Sequence, residues 1–232
     1  MAALTAFDAD AREAPRGGHL DLLIAQQQSL TLLLAEPGAE PLSHWIGQPW
    51  EPAAFLRVAT GIAVALGRAH LAGLIHRNIT PENILIEHAS GAAWLTGFAF
   101  ASLQSSEDTS GPPDVIAGTL AYMAPEQTGR MNRAVDLRSD LYSLGVVFYQ
   151  MLAGELPFTA SDSLEWIHSH VARHPQALSE RRPSVPKALS DIVMKLLAKT
   201  GEERYQTAGA LEADLRLGAH HGSCRLVVPD KL

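Results

Sequence analysis

A chain of 232 residues with 47% hydrophobic and 19% charged content describes an ordinary soluble protein with room for one sizeable core. A formal net charge of -7 without a basic patch excludes general attraction for nucleic acid or anionic lipid. One cysteine, Cys224, excludes an internal disulfide and fits a reducing compartment. The N-terminus carries Asp8, Asp10 and Glu13 and lacks the basic-then-apolar order of a signal peptide. Apolar stretches such as residues 30–35 and 144–148 fall short of the roughly 20 residues needed to span a bilayer. The expectation is a cytoplasmic protein with no membrane segment.

In chain order, residues 1–18 are Ala-rich and polar with Pro and Gly, and are expected to be loose. Residues 20–25 and 30–35, separated by Gln26-Gln27-Gln28-Ser29, read as a hairpin that the turn formers of residues 36–41 interrupt. A short helical segment at 42–46 precedes a long one at 52–71, where apolar residues recur at helical spacing, Pro52 suits the first turn and Gly73 supplies a stop. Next comes the polar stretch His76-Arg77-Asn78-Ile79-Thr80-Pro81-Glu82-Asn83, then a hairpin of residues 84–87 and 93–96 turning at 88–91. Gly97-Phe98-Ala99 follows, and residues 103–117 hold too many Ser, Thr, Asp, Gly and Pro for a regular element. Five features follow: the motif Gly118-Thr119-Leu120-Ala121-Tyr122-Met123-Ala124-Pro125-Glu126, an apolar helix over 139–149, and helical patterns at 163–174, 186–199 and 207–217. Residues 219–232 read as a linker.

Helix, polar loop and hairpin in this order resemble the catalytic loop of eukaryotic-type serine/threonine protein kinases, H-R-D-x-K-x-x-N. The run from Gly118 to Glu126 is similar to the family's G-T-x-x-Y-M-A-P-E nearly residue for residue. The resemblance implies an α+β fold: a helical large lobe over 42–218, with residues 19–41 as a remnant of the small-lobe sheet and the hinge. It implies that Asn78 stands at the position of the catalytic Asp, Thr80 at that of the loop lysine, and Asn83 at that of the metal-binding Asn. It also puts Gly97 at the metal-binding Asp of D-F-G and Leu85 under the adenine ring. Phe98, Pro125, Glu126, Asp140, Gly145 and Arg204 fall on architectural positions, with Asp140 buried against the loop backbone and Arg204 paired with Glu126. If buried, losing one partner of that pair would cost about 3 to 5 kcal/mol. The run 119–140 and the tail 225–232 resemble a bacterial subgroup in which such a domain precedes an ATPase and a sensor histidine kinase.

Each residue also has a plainer reading. His76 is expected to be a packed scaffold residue, Asn83 a hairpin cap, and Leu85 a core leucine. Arg77 is a scaffold residue or an anion receptor for a phosphorylated segment, with Ser105, Ser106, Thr109 and Ser110 as acceptors. The pair His220 and His221 has no further ligands nearby in sequence.

Phosphoryl transfer needs a Gly-rich loop, a strand lysine, metal ligands and an Asp for the hydroxyl. No lysine precedes Lys187, and no G-x-G-x-x-G precedes the hinge. The expectation is therefore a pseudokinase-type module that binds protein partners, ATPase or sensor histidine kinase modules among them, and needs no cofactor. The alternatives are a serine/threonine kinase using ATP and Mg with its missing parts supplied elsewhere, or a truncated product without function.

Overall fold

A computed structural model describes residues 20–23, 31–34, 38–104, 119–131 and 133–223, with the backbone alone for 20–23, 31–34 and 219–223. The acceptor candidates Ser105, Ser106, Thr109 and Ser110, the segment 1–18 and the tail from Cys224 onward lie outside the described residues.

The chain divides into two units, Met1–Pro37 and Gly38–Leu232. In the first, β1 (Leu20–Leu23) and β2 (Thr31–Leu34) pair antiparallel with Leu20 opposite Leu34, the hairpin that the sequence pattern predicts.

The second unit is mainly helical. Helix α1 (Pro52–Leu71) starts with Pro52 in its first turn and buries Phe55, Val58, Ala59, Ile62 and Leu66, the stripe that the 3.6-residue period places on one face. Full burial of such side chains contributes about 1.5–3 kcal/mol each. The helix ends where Gly73 turns left-handed at φ 74° and donates its N–H to the His70 carbonyl at 2.9 Å. By length and composition alone α1 passes for a membrane span, yet here its apolar stripe packs on the helix Ala208–Ser223 and on the strand Ala92–Leu95.

Strands β3 (Glu40–Pro41), β5 (Ile84–Glu87) and β6 (Ala92–Leu95) form one antiparallel sheet in the order β3-β5-β6. The β5–β6 turn lies against α1 at its closest approach. A Cβ built on Gly61 would stand 1.9 Å from the carbonyl oxygen of Gly91, so only hydrogen fits there. Along β5 the alternation sends Ile84 and Ile86 into the core and leaves Leu85 half-buried on the other face, so Leu85 is no core leucine.

A second small sheet was not legible in the sequence pattern. β4 (Leu74–Ile75) pairs with β7 (Ser102–Leu103), which gives regular structure to the start of a stretch expected to have none. Two-residue strands carry no periodicity to detect.

Helix α2 (Leu137–Ala153) runs through the middle of the unit. Leu141, Tyr142, Leu144, Val146, Val147, Phe148, Tyr149, Met151 and Leu152 are all fully buried, as befits a helix apolar on every side. Asp136 caps its start by accepting from the Arg138 N–H at 2.7 Å. Around it lie α3 (Ser163–Ala172), α4 (Leu178–Arg181), α5 (Lys187–Leu196) and α6 (Ala208–Ser223). The last helix runs past residue 217, where the pattern ended, into the stretch read as linker; Ala-Gly-rich sequence there has no apolar period to announce it.

Candidate functional site

The site is assembled on the loop between β4 and β5, and its foundation is a buried carboxylate. Asp140, in the first turn of α2, is fully buried and accepts three hydrogen bonds. The backbone N–H of His76 reaches its Oδ2 at 2.8 Å, that of Arg77 its Oδ1 at 2.7 Å, and His70 Nε2 its Oδ2 at 3.0 Å. A carboxylate so satisfied fixes the loop as firmly as a strand ladder would, because leaving any of these donors unpaired in the interior costs about 1–3 kcal/mol.

His76 is fully buried, with both ring nitrogens engaged. Its Nε2 donates to the Thr96 carbonyl at 2.8 Å, and its Nδ1 accepts from the Asn78 N–H at 3.3 Å. That pairing defines a neutral ring, and burial pushes its pKa below the ordinary value. The ring packs on Phe98 at 4.6 Å between centroids. Arg77 is the one non-glycine residue with positive φ among the described residues, at 64°. The strain, about 1–3 kcal/mol for such a conformer, is held by Asp140 on one side and by Gln127 Nε2, which donates to the Arg77 carbonyl at 2.8 Å, on the other. Its guanidinium has no hydrogen-bond or ion-pair partner among the described residues.

Asn78, Thr80 and Asn83 come together, but their groups face one another more than they face outward. Asn83 Nδ2 donates to the Asn78 carbonyl at 2.9 Å, so the amide closes the loop on itself and does not cap the hairpin as the sequence suggested. Thr80 is buried, and its carbonyl accepts from the Asn83 N–H at 3.0 Å. Asn78 Oδ1 is buried without a donor among the described residues. Asn78 also lines a narrow recess, with no room for a water molecule, together with Arg77, Thr80, Thr119, Tyr122 and Gln127.

Gly97 takes a left-handed backbone with φ 75°. A Cβ there would stand 2.2 Å from Asn83 Oδ1 and 2.5 Å from Asn83 Cγ. The direction in which any side chain at 97 would project is already filled by the Asn83 amide. In the kinase family a carboxylate at this position and the Asn opposite hold Mg. The residues present do not fit that ion: one ligand is missing and the other is folded into its place. Among the described residues no cluster of three His, Cys, Asp or Glu side chains offers another metal site.

A second buried network ties the turn Pro125–Thr128 to the helical core. Pro125 opens a short 3-10 turn that carries Glu126. Arg204 places all five N–H donors: Nη1 on Glu126 Oε1 at 2.7 Å and the Arg138 carbonyl at 3.0 Å, Nη2 on Glu126 Oε2 at 3.0 Å and the Lys199 carbonyl at 3.2 Å, and Nε on the Ala198 carbonyl at 2.8 Å. Ser139 Oγ adds a bond to Glu126 at 2.7 Å. Gly145 lets α5 approach α2, since a Cβ there would come within 2.7 Å of Leu196 Cβ. Sequence reasoning missed His70, Gln127 and Ser139. Gln127 directly follows the recognised motif and His70 lies six residues before His76, but neither spacing shows which polar side chain points inward.

Such an arrangement, a loop locked onto a buried Asp beside a segment anchored by a Glu–Arg pair, defines a protein-kinase-like large lobe. The family model described as "Protein kinase domain" matches residues 22–215, and the chain belongs to the protein kinase family. It is 33% identical over 219 residues to the serine/threonine-protein kinase Pkn1 of Myxococcus xanthus, covering 91% of this chain and 31% of that protein. Identity is likewise 33% over 222 residues to the serine/threonine-protein kinase PknB of Mycobacterium tuberculosis, 95% of this chain and 34% of that protein. A 99-residue stretch, 43% of the chain, is 50% identical to 3% of the hybrid signal transduction histidine kinase G of Dictyostelium discoideum. The chain thus spans about a third of the length of its kinase relatives.

Proposed function

We propose that this chain is a pseudokinase-type regulatory module of the serine/threonine kinase family, which binds protein partners in signal transduction and does not transfer phosphate. The observation that carries the reading is the crowding beside Gly97: any side chain there would meet the Asn83 amide, which is bonded to the Asn78 carbonyl, and neither position 78 nor position 97 carries a carboxylate. Charge neutralisation supplies most of the catalysis in phosphoryl transfer, so no cofactor is expected to act here. The architectural network around Asp140 and Arg204 keeps a folded surface for a partner. An ATPase or sensor histidine kinase module in the cytoplasm is the partner we favour, supported by the similarity to a segment of a protein named as a hybrid histidine kinase.

The test is transfer of label from γ-labelled ATP, with Mg, to the chain itself and to a generic Ser/Thr substrate. Incorporation is expected to stay at the level of an Asn83→Ala variant. Transfer that Asn83→Ala abolishes would overturn the proposal. It would favour the second reading, an active serine/threonine kinase completed by parts outside this chain, which the kinase names of the relatives support.

A further inference from the structure

A recess of about 170 Å³, roomy enough for several waters, opens between the turn Pro125–Thr128, the stretch leading into α2 and the 3-10 turn Gly201–Glu203. Two arginines from different stretches converge there on one carboxylate. Arg133 Nη1 donates to Glu202 Oε2, and Arg138 Nη1 lies 3.7 Å from Glu202 Oε1. The Glu202 side chain is 62% exposed and that of Arg133 is 42% exposed, so water and salt screen their attraction. The other acids of the recess are committed more firmly. Glu126 is held by Arg204, and Asp136 takes Arg138 Nε at 3.0 Å and Nη2 at 2.7 Å. Arg138 also sets Nη1 on Gln206 Oε1 at 3.2 Å. In contrast, Nε and Nη2 of Arg133 have no hydrogen-bond partner among the described residues.

Residues 129–138 carry three arginines, Arg130, Arg133 and Arg138, against one acid, Asp136, a local positive excess in a chain whose net charge is -7. Gly129, left-handed at φ 67°, turns the chain out of the 3-10 helix. Arg130 follows it, exposed and with no side-chain partner among the described residues. The other cationic stretch, Arg181, Arg182 and Lys187, is neutralised by Glu155, Glu51 and Asp191. Arg57 and Arg68 are exposed too, but stand about three turns apart on α1.

We propose that the recess, with Arg130 beside it, is a docking surface for an acidic segment of a partner protein. An Asp or Glu carboxylate of the partner takes the place of Glu202 between Arg133 and Arg138, and a second acidic side chain pairs with Arg130. The proposal rests on the reading that this chain binds protein partners and not on the loss of phosphoryl transfer. The exchange is like for like: one carboxylate leaves the guanidiniums for water as another enters, which keeps the desolvation cost low. The free Nε and Nη2 of Arg133 give the newcomer a two-bonded grip that Glu202, held through Nη1 alone, does not have. Glu202 is thereby an internal competitor that a partner must displace, which sets a threshold against weakly acidic surfaces. A single carboxylate suits the recess better than a nucleic-acid backbone, whose closely spaced phosphates would meet Glu126 and Asp136 as well.

The test titrates a fluorescein-labelled peptide of alternating Glu and Gly with the full chain, without nucleotide, and reads fluorescence polarisation at about 0.01 M and about 0.15 M salt. Saturable binding at the lower salt, weaker at the higher, is expected. Arg133→Glu should weaken it on the order of tenfold, and Lys187→Glu, the same charge change at another exposed site, under about twofold. Arg130→Glu should weaken it several-fold, and since that side chain supports nothing in the fold, its loss reports docking even where Arg133→Glu fails to fold. Glu202→Gln should tighten binding about two- to fivefold by removing the competitor, whereas Glu203→Gln, one exposed residue further on, should leave it unchanged. No binding at the lower salt, equal losses in Arg133→Glu and Lys187→Glu, or equal gains in Glu202→Gln and Glu203→Gln would overturn the proposal. An oligothymidylate of matching charge that displaces the labelled peptide as well as unlabelled peptide does would overturn the choice of a protein partner. With nucleotide absent, failure here is distinct from failure in the labelled-ATP transfer test.

Discussion

Replacing Glu126 by Gln tests how much the buried ion pair holds. The Arg204 side chain is fully buried and that of Glu126 is 7% exposed, so water cannot take over either charge. In the variant the amide oxygen keeps one Arg204 donor, but the amide NH₂ faces the other and the guanidinium charge loses its counter-ion. Breaking a buried pair by removing one partner costs about 3–5 kcal/mol. For a domain of this size each kcal/mol lowers the melting temperature by about 2–4 °C, which gives a drop of about 6–20 °C. Urea and thermal unfolding of wild type, Glu126→Gln, Arg204→Met and the double variant would measure it. The double variant should be far less destabilised than the sum of the singles, with a coupling of at least about 2 kcal/mol. A Glu126→Gln cost under about 1 kcal/mol, or simple additivity, would refute the reasoning.

Gly61→Ala should cost about 2–3 kcal/mol in urea unfolding, because its methyl meets backbone and not a side chain that can swing away. Acid should destabilise the fold between about pH 6.5 and pH 4. Burial, then the nearby Lys199, lower the His170 pKa to about 4, so the unfolded chain binds the proton first as pH falls; the resulting loss is at most about 3 kcal/mol. His170→Phe should flatten that pH slope in thermal melts, leaving the part due to His76, whose pKa burial also lowers. Gly97→Asp is expected to lower stability by about 1–3 kcal/mol and to give no Mg binding by calorimetry, since the new side chain meets the Asn83 amide.

Long elements were legible because their burial is one-sided or complete. The pattern over 52–71 matches α1 end to end, and the hairpin of β5 and β6 differs by one residue. The two-residue strands and the short α4 escaped, since neither is long enough to show a period. At the site, identities at 78, 80 and 97 told which charges were gone. They could not tell where the remaining amide would go. The turn of Asn83 toward the Asn78 carbonyl depends on the space that a glycine at 97 leaves empty, a three-dimensional fact with no counterpart in spacing. Likewise Arg204 could be matched to Glu126 by motif, but the three carbonyls that complete its donors come from two separate stretches of backbone.

The central claim, that the collapsed loop no longer grips a metal–triphosphate, is tested most directly by thermal shift of the chain titrated with ATP, with and without Mg. The account expects a melting temperature that does not move with ATP in either condition. A saturable, Mg-dependent rise, about 2.7 kcal/mol of stabilisation at a hundred times the dissociation constant, would contradict it.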